Sequence, residues 1–423
     1  MEHDLVLEGR VVTPGGILES EVGVSDGTIA ELGHGLRGAR KIHAGGRLIF
    51  PGFIDIHVHL REPGWEQKED FRTGSSAAVH GGVTTMVDMP NNPVPTDSPQ
   101  ALGAKAALAK KASIDVRFHG GIRKTDPEAV GRIASGVVGY KLYLSETTGA
   151  ARFPEELLPR VLGSVAATGK PISIHCEDQQ IIDEASLRRR ADPRPDSYAD
   201  ARPGDSETSA VRKVIESLKG EPSLVANICH ASTRETVALV KGAVAKGMRL
   251  SCEAALHHLY YNRAEMLENP LLRTNPPLRG EDDRQALLDA VKGGGVSFLV
   301  TDHAPHLEDE KVSQGLAGVP GLDDFSHVVS WLIRAQGVAP ARVAEIAAAA
   351  PARHLGLADR GEIAPGKRAD FAVLDLRASE VVKNESVRSK CGWSPYEEKE
   401  FPGRARWVVR GGELLMDDFE QVS

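Results

Sequence analysis

Between about residues 51 and 360, short apolar runs rich in β-branched residues alternate with Ala-, Leu-, Lys- and Glu-rich stretches. No other feature constrains the fold as much. The apolar runs are IDIHVHL (54–60), VTTMVDM (83–89), DVRFHGGI (115–122), VVGYKLYL (137–144), PISIHCE (171–177), LVANICHAS (224–232), RLSCEAAL (249–256) and VSFLVTDHAP (296–305). Stretches such as SPQALGAKAALAKKA, PEELLPRVLGSVAATG, DSETSAVRKVIESLKG and TRETVALVKGAVAKG lie between them. They carry apolar residues at 3–4 spacing and begin near Ser, Asp, Thr or Pro, which are helix-start signals. Eight strands, most followed by a helix, predict an α/β chain folded as a (β/α)₈ TIM-type barrel over 51–360.

The two ends of the chain have a different texture. Residues 1–50 read as short strands joined by Gly-rich turns, and 361–423 repeat the pattern in GEIAPGKRADFAVLDL and RARWVVRGGELLMDDF. Neither end is long enough to bury a core alone. The expectation is one small β-sandwich domain assembled from 1–50 and 361–423; the alternative is two independent surface extensions. The polar, Pro-containing stretch 185–207 reads as a long loop after the fifth barrel strand.

Composition excludes several classes of function. Lys and Arg number 51 against 59 Asp and Glu, a formal net charge of −8, which argues against a nucleic-acid or anionic-membrane surface. No apolar run approaches the roughly 18 residues of a membrane helix, and MEHDLVLEGRVV lacks a secretory signal's apolar stretch. The four Cys (Cys176, Cys229, Cys252, Cys391) form no Cys-x-x-Cys pair, so a reducing, cytoplasmic setting is expected. Homo-oligomers are most often twofold dimers, which sets the expected assembly.

Placing the ionisable residues on the expected strands brings chemistry to one face. His57 and His59 end strand 1, Lys141 lies in strand 4, and His175, His230 and Asp302 sit near the ends of strands 5, 6 and 8. Active sites of this fold are built where those ends converge. His57 and His59 are two residues apart on a strand and project to one side. Four imidazoles and a carboxylate suit zinc and similar ions. Lys141 has two readings: an ion pair with Asp302 or Glu146, or a neutral amine that adds CO₂ to become a metal-bridging carbamate. Arg61 has an alternative as a surface partner of Glu62, Glu66 or Asp70, Asn91 as a turn residue, and His306 as a solvated loop residue. Cys176, Cys229 and Cys252 read as small buried residues. Glu253, His257 and His258 lie near the end of strand 7 without an assigned role.

PGFIDIHVHLREPGWEQKEDF, MPNN, GYKLYLSETTG, ISIHCED, ICHAST and LVTDHAPH, in this order, resemble the amidohydrolase superfamily, and within it the dihydroorotases that keep a bridging lysine. The resemblance spans about 51–360, and a split terminal β domain is also a feature of the superfamily. It implies two zinc ions per chain, one on His57 and His59 and one on His175 and His230. Carboxylated Lys141 and a hydroxide would bridge them. It gives Asp302 a place on the first zinc and the role of general acid and base. Arg61, Asn91 and His306 match positions that grip a substrate carboxylate. Asn275 and Pro320 match positions that line the substrate pocket, and Thr147 and Thr148 fall in a loop that is mobile in relatives.

The implied reaction is reversible hydrolysis of dihydroorotate to N-carbamoyl-L-aspartate, which runs as ring closure in pyrimidine synthesis. Rivals in the same superfamily are allantoinase and hydantoinase or dihydropyrimidinase. Arg61, Asn91 and His306 favour dihydroorotase, because allantoin and dihydrouracil need no carboxylate clamp. A rival of another class is a catalytically silent barrel that serves as structural partner of aspartate carbamoyltransferase. Every matched ligand position is occupied here, which favours the enzyme.

Overall fold

The computed structural model describes residues 2–150, 152–189 and 197–422. The chain opens with β1 (Glu2–Thr13), β2 (Gly16–Ser25), β3 (Thr28–Gly33) and the long β4 (Arg37–Pro51). After Gly52 it enters the barrel. Gly52 is required there, because a Cβ would fall 2.2 Å from Thr84 Oγ1.

Eight barrel strands follow: β5 (Phe53–Val58), β6 (Val83–Asp88), β7 (Asp115–Gly121), β8 (Gly139–Tyr143), β9 (Ile172–His175), β10 (Ala226–Ile228), β11 (Leu250–Ala255) and β12 (Phe298–Val300). Seven lie inside the expected runs, and β5 starts one residue before its own. They pair in parallel in chain order. The seam from β12 back to β5 is short. It holds a parallel bridge between Val58 and His303, and His59 N–H donates to His303 O at 2.7 Å. Asp55 adds a side-chain latch across it, Oδ2 accepting Thr301 N–H at 3.1 Å. Residues on β5 alternate faces: Ile54 and Ile56 pack in a cluster with Ala352 and Leu355 on the helix side, while Asp55 and His57 face inward.

The helices begin where the sequence signals them. Ser98 caps Pro99–Leu108, accepting Ala101 N–H at 3.2 Å, and Thr233 caps Arg234–Val244, accepting Thr236 N–H at 3.2 Å. The expected loop over 185–207 is a correction. Helix Gln179–Arg189 runs into it, Ser197–Ala201 lies within it, and Gly204–Leu218 starts before its end; residues 190–196 lie outside the described residues. The charged run SLRR conceals the solvent face of a helix that buries Ile182 and Ala185.

The C-terminal strands are β13 (Phe371–Asp375), β14 (Glu380–Val381), β15 (Glu400–Phe401), β16 (Arg404–Arg410), β17 (Glu413–Asp417) and β18 (Glu420–Gln421). One eight-stranded sheet, ordered β18-β17-β16-β13-β4-β1-β2-β3, draws on both chain ends. β4 joins them, parallel to β1 and antiparallel to β13. Leu5, Leu7, Val22, Val24, Ile49, Phe371, Val373 and Trp407 form its own core. Between β13 and β16 the chain leaves this sheet, pairs β14 with β15 and packs on the barrel. Trp393 Nε1 donates to His306 O at 2.8 Å, and Tyr261 donates to Pro395 O at 2.7 Å. No helix among the described residues is long and apolar enough to cross a membrane.

Candidate metal centre and substrate cavity

The rings of His57 and His59, carried by the end of β5, have centroids 5.4 Å apart. Each ring is oriented from behind. His57 Nδ1 lies 2.8 Å from Glu253 Oε2, and His59 Nδ1 lies 2.7 Å from Asn91 Oδ1. Both partners accept, so Nδ1 carries the proton in each ring and the Nε2 lone pair is free. The two Nε2 atoms converge on Asp302 Oδ1, at 3.4 and 3.3 Å. On the opposite wall, His175 Nδ1 is 3.0 Å from His230 Nε2, and His175 Nε2 is 2.8 Å from Glu177 Oε2. The His57 and His230 ring centroids are 5.2 Å apart, which joins the two halves.

Lys141 lies between them. Its Nζ is 3.3 Å from His57 Nε2 and 2.8 Å from Cys229 Sγ. Neither Asp302 nor Glu146 pairs with it among the described residues, so the ion-pair reading of Lys141 is not what this arrangement contains. All four Cys are buried and free.

Backbone strain marks the same place. Arg61 (φ 60°), His230 (φ 32°) and Asp302 (φ 47°) all adopt positive φ without being glycine. Such residues cost on the order of 1–3 kcal/mol each and collect at functional sites.

The electrostatics fit a cation. Burial holds His57, His59, His175 and His230 below the ordinary histidine range, leaving neutral rings with lone pairs to give. Burial also pushes Glu253 up to about 8. Burial alone would raise Asp302, but its surroundings, His59 first and then His257 and Lys141, outweigh it and hold the carboxylate below its ordinary range. Neutral imidazoles and buried carboxylates gathered on one spot form a donor set for a borderline divalent ion. Two groups of three among the described residues bring their donor atoms within 4.8 Å of one another: His57, His59 and Asp302, and His57, Cys229 and Glu253.

A cavity of about 30 Å³ opens over these groups. Arg61, Asn91, Asn275, Thr147 and Thr148 line it with the histidines, Lys141 and Asp302. Asn91 Nδ2 donates to Thr148 O at 2.7 Å and Asn275 Nδ2 to Thr147 Oγ1 at 3.2 Å, so the 147–148 segment is tied down from two sides. Arg61 is 2% exposed and donates from Nε to Pro305 O at 3.0 Å. No carboxylate pairs with it among the described residues; its surface pairing with Glu62, Glu66 or Asp70 does not occur.

His306 is fully buried and stands behind Arg61, with Nε2 3.2 Å from Arg61 Nη2 and Nδ1 3.1 Å from Lys68 Nζ. Burial, with Arg61, Lys68 and Lys311 around it, keeps this ring neutral. Beside His306, whose Nε2 is 3.2 Å from Ala317 O, the lining residues are Ala317 and Gly318, and Pro320 is buried just beyond them. A second cavity, about 160 Å³, shares Asn91, Lys141 and Tyr143 with the first and is otherwise walled by residues including Pro90, Pro95, Ile122 and Phe153.

Several supporting residues had no role assigned from the sequence, Glu253 being named there without one. Glu253 orients His57, and its inward place on β11 was the available signal. Glu177 is fixed by Arg202, whose Nε donates to Oε1 at 3.0 Å. Arg202 is brought in by the 197–203 region, which read as loop. Tyr143 lies two residues beyond Lys141 on β8 and lines both cavities.

A model of the amidohydrolase family matches residues 48–410. An allantoinase of Rubrobacter xylanophilus is 33% identical, the match covering 96% of this chain and 93% of the relative. A dihydroorotase of Methanothermobacter thermautotrophicus is 32% identical over 94% of this chain and 93% of its own. Among solved structures, an L-hydantoinase from Arthrobacter aurescens superposes with a TM-score of 0.96 at 23% identity, covering 100% of this chain and 98% of that one.

Proposed function

This chain belongs to the amidohydrolase family, and from that premise we propose that it opens and closes the ring amide of dihydroorotate. The observation that carries the substrate choice is Arg61: a buried guanidinium on the cavity wall, beside Asn91, with no carboxylate partner among the described residues. Arginine binds carboxylates through two parallel N–H donors. A buried cation without a counter-ion calls for an anionic substrate to neutralise it.

In this reading His57, His59 and Asp302, with His175, His230 and Lys141 as its carbamate, are the residues that would hold divalent ions. Such ions, zinc being the type these ligands suit, acidify bound water and polarise an amide carbonyl. The chain's own groups do the rest. Asp302 takes the proton of the attacking water on its carboxylate and returns it to the departing ring nitrogen. Arg61 and Asn91 hold the substrate carboxylate and so fix which face of the ring amide is attacked. Thr147 and Thr148, tied to Asn275 and Asn91, close the cavity against water.

The test is a parallel assay with dihydroorotate, allantoin and hydantoin, repeated on Arg61→Met. Dihydroorotate should be the best substrate, and Arg61→Met should lose that activity while keeping its metal. Intact dihydroorotate turnover in Arg61→Met would show the assignment to be wrong. One observation favours a second reading. The adjoining cavity of about 160 Å³ has room for an apolar ring substituent, as on a substituted hydantoin.

A further inference from the structure

The wall of the cavity opposite Asn91 is built from two separate segments, Asn275 on one and Ala317–Gly318 on the other. A single side chain fastens both. Lys311, on helix Glu308–Gln314, is 2% exposed. Its Nζ donates to Arg273 O at 3.1 Å, to Leu316 O at 3.2 Å and, at short range, to Gly318 O. An ammonium has three N–H donors, so all are satisfied, and all by main-chain carbonyls. No carboxylate pairs with it among the described residues.

The junction around it leaves little slack. Gly318 N–H donates to the same Arg273 carbonyl at 2.9 Å. Gly318 has φ 128°, and a Cβ there would fall 2.6 Å from Ala304 O. The Trp393 ring, delivered by the C-terminal segment, lies over the ammonium, 5.7 Å from centroid to Nζ. Burial, with Arg273 and Arg61 nearby, brings Lys311 down to about 7, so the charge is kept at an energetic cost.

We propose that Lys311 is a positioning residue: its ammonium holds the 273–276 and 315–319 segments in register, so that Asn275 and Gly318 meet the substrate ring. It never touches the reacting atoms. The role rests on the cyclic-amidase reading above. It predicts a binding defect rather than a chemical one, because the metal ligands and Asp302 hang from other strands.

The experiment compares wild type, Lys311→Met and Lys311→Arg by steady-state kinetics on dihydroorotate, metal content, and amide exchange of the 315–319 peptide. Lys311→Met should raise KM about tenfold or more, with kcat within about threefold and metal content unchanged. Exchange at Gly318 should accelerate. Lys311→Arg, which restores donors, should recover most of the KM. A folded Lys311→Met protein with wild-type KM, or one whose kcat alone falls, overturns the proposal. If Lys311→Met does not fold, Lys311→Gln keeps two donors; an intermediate KM supports the clamp and a wild-type KM overturns it. If wild type turns over none of the cyclic amides, the functional reading fails instead. Amide exchange then judges the clamp alone, and unchanged exchange in Lys311→Met refutes it.

Discussion

Glu253→Gln tests whether the metal centre is organised from behind. Glu253 Oε2 faces His57 Nδ1 at 2.8 Å and His230 N–H at 3.1 Å, and Oε1 faces Asn227 Nδ2 at 2.6 Å. All three are donors. Glutamine has one oxygen, so its NH₂ must point at a donor wherever it turns. The least costly placement puts NH₂ against Asn227 and reverses that amide. The neighbouring Ser251 and Ser173 hydroxyls, at 3.1 and 3.3 Å from the Asn227 side chain, are able to rotate with it. A divalent ion on His57 would favour Glu253 as the carboxylate despite its burial, and that charge a glutamine cannot supply. The His57 bond changes from charge-assisted to neutral, about half as strong, a loss of about 1–1.5 kcal/mol. His57 also becomes a poorer ligand. Support of this kind is typically worth 10–100-fold in metal affinity, or about 1.4–2.8 kcal/mol. The assay is chelator competition with metal counted by mass spectrometry, beside a melting curve of the metal-free protein. The midpoint should fall by about that factor, with the metal-free melting temperature close to wild type. A chelator midpoint within about twofold of wild type would refute the claim that Glu253 organises this centre.

Asp302→Asn should remove nearly all turnover at every pH, because an amide cannot carry the proton from water to the ring nitrogen; kcat on a substrate with a better leaving group should recover partly. Gly318→Ala forces a Cβ to 2.6 Å from Ala304 O at φ 128° and should cost about 2–4 kcal/mol in denaturant unfolding. In the terminal sheet, burial pushes Asp375 up, but hydrogen bonds from Arg377 and Arg47 win and bring it down to about 2. A carboxylate depressed by folding stabilises above its unfolded pKa and loses that contribution as pH falls through the folded one. Wild type should therefore exceed Asp375→Asn by about 1–2 kcal/mol at pH 6, with the gap closing between about pH 4 and 2; a gap that persists at pH 2 would contradict the sign.

The barrel was legible because most of its strands are buried on both faces and read as short apolar runs. Its ligand residues were legible because the strand period places every inward residue near a strand end on one mouth. Residues that act from behind were harder to see. Glu253 belongs to the same mouth, but one carboxylate on one strand has no distinguishing spacing. Arg202 lay in a stretch whose charge pattern reads as solvent exposure, whereas its guanidinium is buried against Glu177. Lys311 sits four residues before the 315–319 turn and donates its hydrogen bonds only to main chain, and carbonyl partners leave no trace in side-chain types. Trp393 comes from the C-terminal segment, far along the chain from the His306 carbonyl it serves.

The charge of the molecule and the charge of its site run in opposite directions. The chain carries a formal net of −8, which disfavours the approach of an anion. At the cavity, Arg61 is a buried cation that no carboxylate pairs with among the described residues, and Lys68 and Lys311 both bear on His306 beside it. His306, kept neutral among them, separates these cations without adding a charge of its own. A carboxylate entering this space meets guanidinium N–H donors in a low-dielectric wall, where each bond is worth more than in water. The same groups leave a neutral ring with an unmatched buried charge, and that penalty discriminates as strongly as the attraction does. Under the proposed function, selectivity for an anionic cyclic amide would follow from what the wall lacks among the described residues, an acidic partner for Arg61, as much as from what it contains.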